Sequence, residues 1–272
     1  MMVLGTTISL MFTVTVAALL DAKHRAADRR LTTMMVISAI GDYGEELQNF
    51  FEMTDRNDSV AQWLLSRPVE EIEMLPEDEL SDLEEEGLAM YAANYDDTYE
   101  KIFSNNFDTW KNLRNRKFIG TVGLCFALMR NSVEQMNQWS DESERLCIAI
   151  RSHPDDYLGI NYPSKCLRNP EIRYSLQQLY RHRCLVRYYA QLLHYYNCKN
   201  MAIMGISEEE LTKFNEDSEN EIVIDAEEPD FDWDLKMKPF DPDSLTSMRD
   251  INTRVDSLVL LAGGIHERKG GK

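Results

Sequence analysis

Strand signals and linear catalytic motifs are nearly absent from this sequence. The only short run of strand-forming residues is Glu221 to Ile224, and one strand makes no sheet. The motifs G-x-S-x-G, G-x-x-x-x-G-K-[ST] and H-E-x-x-H do not occur. The sequence therefore excludes assignment to the hydrolases, nucleotide-binding proteins or metalloproteases that these motifs define. We expect a mainly α protein that is more likely not an enzyme, with no cofactor, no metal and no catalytic residue to name.

Cysteines are few, and their spacing does not pair them. The chain of 272 residues has five cysteines, none in a C-x-x-C pair. An odd count without paired spacing excludes a regular disulfide framework and favours free thiols in a reducing compartment.

Basic residues are also scarce. Lys and Arg number 29 against 47 Asp and Glu, which gives a formal net charge of −18. A nucleic-acid-binding protein normally carries the opposite sign. We therefore expect no nucleic-acid partner.

The most informative positive feature is the uncharged, mostly apolar run from Val3 to Leu20. As a helix it would be about 27 Å long, close to the hydrocarbon thickness of roughly 30 Å. We expect one transmembrane helix over residues 1–22. A cleaved signal peptide and a buried helix of a soluble protein are the alternatives. The signal peptide is disfavoured because no basic region precedes the run and Leu20-Asp21-Ala22 is a poor cleavage site.

A basic neck, Lys23 to Arg30, follows the apolar run and contains Lys23, Arg25, Arg29 and Arg30. Basic residues stay on the cytoplasmic side of a membrane. We therefore expect a single-pass protein of the inner membrane with a cytoplasmic body, unless a start upstream of Met1 adds charges there. Lys and Arg of the neck can also meet anionic lipid headgroups.

Small residues recur every four positions within the apolar run. This predicted packing ridge consists of Gly5, Ser9, Thr13 and Ala17. Helices in lipid associate through such ridges, because lipid tails solvate large apolar side chains as well as another helix does. The ridge favours a homo-oligomer or pairing with another membrane helix, against the alternative that small residues occur there by chance.

Helical periodicity dominates a predicted body over residues 23–214. Leu31 to Phe51 continues from the neck, so that the span and this helix form one rod, which Thr54 to Asp58 is expected to break. A short helix should then run from Ser59 and stop before Pro68. Another acidic helix start is predicted around Pro76.

Three further helices are predicted downstream. Phe118 to Trp139 is the most apolar part of the body, and Glu142 to Ile150 continues it. Asn169-Pro170-Glu171 starts a helix that runs to about Asn197. Ser207 to Glu210 is a capping box that begins a last short helix.

Residues 215–272 are predicted to form an acidic, partly disordered tail with a short helix over Leu245 to Leu261. Phe231, Trp233 and Phe240 are spaced along it, which is typical of a peptide that docks a protein partner. An alternating pattern within it resembles a calcium loop and consists of Asp230, Asp232, Asp234 and Asp241. Leu235 occupies the position that needs glycine, so we do not expect calcium binding.

Other polar groups have structural explanations beside functional ones. His194 and Cys198 lie four apart and share a helix face, but no second spaced pair completes a metal site. A basic patch after Trp110 could hold an acidic segment or a phosphate, or be a solvated face; it consists of Lys111, Arg114, Arg116 and Lys117. Arg181, Arg183 and Arg187 alternate with tyrosines, as at interfaces, although long side chains along a bundle surface explain them slightly better.

The layout resembles uncharacterised single-span, membrane-anchored helical proteins of gut-type bacteria. The resemblance is carried by Leu4-Gly5-Thr6-Thr7-Ile8-Ser9, Asp28-Arg29-Arg30-Leu31-Thr32, Tyr99-Glu100-Lys101-Ile102-Phe103 and Thr109-Trp110. It covers about the first half of the chain and implies no activity. The sequence predicts a membrane-tethered scaffold or accessory protein that binds a protein partner. The alternative is a membrane-anchored sensor or enzyme with a site between helices.

Overall fold

The computed structural model describes residues 2–74, 115–152 and 168–219, and it describes side-chain environments from Leu19 onward. The described part is mainly helical, with 93% of its residues in helices and no strand, which confirms the mainly α prediction. Its helices are α1, Met2–Leu65; α2, Val69–Ile72; α3, Arg116–Ser152; α4, Pro170–Met204; and α5, Glu208–Glu219. In the part of the chain whose side chains are described, no helix is long and apolar enough to cross a membrane.

Helix α1 is a single helix of 64 residues, so the apolar run and the neck do form one rod with the following segment. The predicted break at Thr54 to Asp58 is wrong. Thr54 instead donates its hydroxyl to the carbonyl of Phe50 at 2.7 Å within the helix, and Asn57 is buried. Pro68, which lacks an amide hydrogen, follows the real end of the helix at Leu65. Tertiary contacts of the 54–58 segment thus override its weak local helix preference.

Side-chain caps begin α4 and α5 at the predicted places. At the start of α4, Asn169 Oδ1 accepts a hydrogen bond from the Glu171 backbone amide at 2.8 Å. The reciprocal capping box of α5 joins the Glu210 amide to Ser207 Oγ and the Ser207 amide to Glu210 Oε2, each at 3.2 Å. These bonds satisfy amides that a helix start leaves free.

Helix α4 ends at Met204 rather than near Asn197, because its stop signal is Gly205. Gly205 has a φ of 63°, which glycine adopts without steric cost. The Ile206 amide donates to the Met201 carbonyl at 3.0 Å, and Ile206 is buried. This is the Schellman type of helix end, with its apolar residue just beyond the glycine.

The chain divides into two compact units. The described parts of the first unit are residues 2–42, 115–125 and 196–219. Its buried side chains are Thr33, Val36, Ile37, Ile40, Phe118, Val122, Cys125, Asn200 and Ile206. Polar groups also cross between its helices: Asn197 Nδ2 donates to the Ile37 carbonyl of α1 at 3.2 Å.

The described parts of the second unit are residues 43–74, 126–152 and 168–195. Its core is built mainly from apolar residues of α1, α3 and α4, and Trp139 and Phe50 are its largest fully buried side chains. Their rings meet edge to face with centroids 5.8 Å apart, a favourable arrangement for aromatic pairs. This core positions the polar cluster described below.

Candidate functional site

The basic neck of α1 is the first candidate site, and it lies in the first unit. Every neck residue is exposed except Arg29, which is half-buried. Leu19 and Leu20, just before the neck, are 65% and 53% exposed. At about 1.5 Å per residue, residues 19–28 form roughly 15 Å of helix in which every residue is exposed. One exposed ion pair within it joins Arg25 to Asp21 at 2.5 Å.

Helix α5 contacts α1 at the end of the neck. Arg30 Nη2 donates to Glu210 Oε1 at 2.5 Å, and about two helical turns further along α1 Ser38 Oγ donates to Asn215 Oδ1 at 2.8 Å. The Ser207 amide, and next the Arg30 side chain, hold the pKa of Glu210 below its usual value. The carboxylate of Glu210 therefore serves both the helix cap and the contact with the neck.

The second candidate site is a buried arginine in the second unit. The buried face of α4 alternates steps of three and four residues, as in a coiled-coil seam. This seam consists of Ile172, Leu176, Leu179, Arg183, Val186, Ala190 and Leu193. Arg183 occupies a core position in it, and its side chain is only 4% exposed.

Four residues of α1 receive the Arg183 guanidinium. Positions 51, 54, 55 and 58 follow helical spacing, so they lie on one face. Nε donates to Thr54 Oγ1 at 3.0 Å, Nη1 to Asp58 Oδ2 at 2.7 Å, and Nη2 to Asp55 Oδ1 at 3.0 Å and to the Phe51 carbonyl at 3.3 Å. The guanidinium carbon also lies 5.3 Å from the centroid of the Phe51 ring. Each guanidinium nitrogen thus has an acceptor.

The two aspartates of this cluster differ in burial. The Asp55 side chain is 73% exposed, whereas that of Asp58 is 13% exposed. Burial raises the pKa of the Asp58 carboxyl, and the nearby charges of Arg183 and Arg187 oppose this rise without cancelling it. Asp58 Oδ1 is buried and has no hydrogen-bond partner among the described groups. The desolvation of Asp58 is therefore incompletely compensated, whereas Asp55 keeps most of its contact with water.

A second polar layer of the same unit joins α3 to α4. Ser175 Oγ donates to Glu142 Oε1 at 2.6 Å, and His182 Nδ1 lies 2.9 Å from Gln135 Oε1. Burial, followed by the charge of Arg181, lowers the pKa of His182, while Glu142 opposes this shift. The hydrogen-bond partner of His182 is an amide and not a carboxylate. His182 therefore links α4 to α3 from a site whose burial disfavours the charged ring.

The predicted membrane and docking residues are outside what the structure describes. The side chains of Gly5, Ser9, Thr13 and Ala17 precede Leu19, where the side-chain description begins. Phe231, Trp233 and Phe240, together with the calcium-like aspartates, lie beyond Glu219 and outside the described residues. These predictions remain predictions.

The remaining polar candidates are brought together only in part. Arg116 and Lys117 are exposed on the first turn of α3, and the other two members of the basic patch are outside the described residues. In the described ranges, no three His, Cys, Asp or Glu side chains are grouped to hold a metal ion.

The interpretation of Arg183 as a surface side chain is wrong, and so is its interpretation as an interface residue. Its neighbours Arg181 and Arg187 are half-buried, whereas Arg183 itself is in the core. Two sequence signals could have located it. It continues the three-and-four spacing of the apolar residues in α4, and α1 offers Thr54, Asp55 and Asp58 on one face.

Comparison with known proteins adds no relative to this picture. No protein-family model, curated protein or solved structure was found to match this chain.

Proposed function

We propose that this protein is a membrane-tethered helical adapter or accessory subunit of the inner membrane, with its body on the cytoplasmic side. In this proposal the apolar run from Val3 to Leu20 spans the bilayer, and the basic neck meets the anionic headgroups. The body then presents surfaces for a protein partner.

The observation that supports the proposal is the bare neck on an unbroken helix. Helix α1 runs from Met2 to Leu65, so the apolar run connects to the body without a flexible joint. The exposed turns between them would leave room for the headgroup layer, which is roughly 5 to 7 Å thick on each side of the hydrocarbon. In this proposal the exposed side chains of Leu19 and Leu20 would lie at the boundary of the hydrocarbon.

The polar groups of the second unit favour an interaction role over the sensor or enzyme alternative. Arg183 of α4 donates hydrogen bonds to α1. Glu142 of α3 accepts a hydrogen bond from α4, and His182 of α4 is bonded to α3. These groups link helices to each other, as positions that specify a single helix register do. A catalytic pair would instead need an acid and a base directed at a common substrate atom.

A fractionation experiment tests the tether. The variant Leu10→Lys with Val14→Lys places two charges at the centre of the predicted span, where each costs about 2.5 to 3.5 kcal/mol. We expect the wild-type chain to stay with membranes after alkaline carbonate washing and this variant to move to the soluble fraction.

The matched control adds the same two charges to the exposed neck, as His24→Lys with Ala27→Lys, and should remain with the membrane. Release of the wild-type chain by carbonate would contradict the proposal. A reporter fused after Lys272 checks the orientation. A reporter enzyme that is active only in the cytoplasm should be active in this fusion.

A further inference from the structure

The contact between α5 and α1 has the properties of a releasable latch. The Arg30 and Glu210 side chains that form it are 48% and 46% exposed. Exposed ion pairs are weak and are screened by salt. The second contact, Ser38 with Asn215, is a neutral hydrogen bond that is partly buried. Leu211 and Phe214 of α5 are half-buried, so these two apolar side chains are incompletely removed from solvent.

Arg30 belongs to the latch and to the basic neck at once. If the bilayer hydrocarbon ends near Leu20, Arg30 is roughly 15 Å further along the helix axis. The headgroup layer occupies roughly 5 to 7 Å of that distance. The remaining gap is about one Debye length at physiological salt. Helical side chains point toward the N-terminus of their helix, which here is the bilayer side, and this brings the guanidinium closer still.

An anionic surface would act on the two sides of the latch in opposite directions. It attracts the Arg30 guanidinium. It repels the first turn of α5, which consists of the exposed acidic residues Glu208, Glu209 and Glu210. Both effects weaken the same contact.

We propose that anionic lipid headgroups compete with Glu210 for Arg30 and thereby release α5 from α1. This inference rests on the proposed membrane tether. Helix α5 leads directly into the acidic segment that carries the predicted docking residues. Lipid composition at the neck would therefore control how freely that segment meets its partner.

Hydrogen exchange of the α5 amides tests the latch in the full chain. The protein is reconstituted into vesicles of phosphatidylcholine alone and into vesicles that also contain phosphatidylglycerol, at the same salt concentration. An anionic surface contributes about 1 kcal/mol per nearby basic residue, which corresponds to about a fivefold change in an equilibrium. We expect exchange over residues 208–219 to be about fivefold faster in the anionic vesicles.

Two charge-matched variants make the test specific. Glu210→Gln removes the ion pair but keeps a residue that can complete the capping box. It should exchange quickly in both vesicle types, with a ratio well below that of the wild-type chain. Glu209→Gln removes the same charge from an exposed neighbour, and it should keep most of the wild-type ratio.

The latch would be rejected by equal wild-type exchange in the two vesicle types, or by a Glu210→Gln variant that keeps the full ratio. Flotation with the vesicles is measured first and separates the two proposals. A protein that floats with both vesicle types but shows equal exchange overturns the latch alone. A protein that floats with neither overturns the tether and the latch together.

Discussion

At the scale of single residues, Arg183 is the group on which the second unit depends most. Its guanidinium bonds to four residues of α1, and its strongest partner, Asp58, is itself largely buried. The Arg183→Ala variant would leave the Asp58 carboxylate buried without its cation. Loss of one partner of a buried pair costs about 3 to 5 kcal/mol. We expect the free energy of unfolding, measured by urea titration in mild detergent, to fall by about that amount.

Two further variants show whether the loss belongs to the pair. Arg181→Ala removes a half-buried arginine of the same helix and should change stability by less than about 1 kcal/mol. The double variant Arg183→Met with Asp58→Leu removes both charges, and it should be close to wild type in stability. If the double variant were as unstable as Arg183→Ala, the unpaired carboxylate would not be the cause.

His182 gives the residue-scale prediction for pH. Its pKa in the folded protein is below the ordinary value of 6.5, chiefly because of burial. Below pH 6.5, His182 therefore binds a proton in the unfolded chain but not yet in the folded chain. The free energy of unfolding falls as a result. This contribution is fully present above pH 6.5 and is lost as the pH falls through the folded pKa.

Urea titrations at several pH values between 7.5 and 5 measure this effect. The curve of His182→Gln should fall less steeply than that of wild type over this range. His24→Gln, in the exposed neck, serves as the control and should follow the wild-type curve. Carboxylates such as Asp58 titrate in all three proteins, so their effect cancels in the comparison. Parallel curves for wild type and His182→Gln would contradict the assignment.

The arginine cluster also shows why sequence analysis succeeds and fails at this scale. The apolar side chains Ile172, Leu176 and Leu179 follow helical spacing in the sequence, and they are buried. Arg183 continues the same spacing, but an arginine is almost never fully buried unless it is paired. Its acceptors lie more than a hundred residues earlier in the chain, and only the packing of α1 against α4 brings them into contact.

At the scale of the elements, local signals located the starts of α4 and α5. Asn169 and Ser207 cap helices because their side chains bond to amides only a few residues away, and such bonds need no tertiary partner. Helix interiors and ends were less certain. The sequence predicted that α4 ends near Asn197. The Asn197 side-chain amide instead donates to the Ile37 carbonyl from within α4.

The predicted packing ridge lies in α1 and gives a prediction about association between chains. Replacing Gly5 and Ser9 by Ile puts two branched side chains where a second helix would need close approach. We expect the yield of cross-linked dimers in membranes to drop several-fold. Thr7→Ile with Met11→Ile adds similar bulk to a different face and should leave the yield unchanged. An undiminished dimer yield in the ridge variant would remove the case for association through this face.

At the scale of the whole molecule, charge is distributed unevenly along an acidic chain. The net charge is −18, while four basic residues are concentrated in the neck. In the proposed tether, this asymmetry would attract one end of α1 to anionic lipid and repel the acidic regions from it. The predicted docking segment, with three aromatic residues in an acidic stretch, is among those regions.

Replacement of Phe231, Trp233 and Phe240 by Ala tests the role of that segment. Aromatic anchors supply much of the energy of an interface, so proteins that co-purify with the wild-type chain should be lost. The melting temperature should stay within about 2 °C, because docking residues do not support the body's core. The control replaces Asp230, Asp232 and Asp234 by Asn and should keep the partner. A variant without the aromatics that still retains the same partner would contradict the docking hypothesis.

The sequence by itself determined the helical character, the capped starts of α4 and α5, and the acidic charge balance. It also determined that no two cysteines stand in a C-x-x-C pair. Each of these depends on composition or on bonds between residues close in the chain. Only the tertiary structure decided that α1 continues through Thr54 to Asp58, that Arg183 lies in the core and that Arg30 pairs with Glu210. Each of these depends on partners distant in the chain, whose desolvation and hydrogen bonds outweigh local preference once the helices pack.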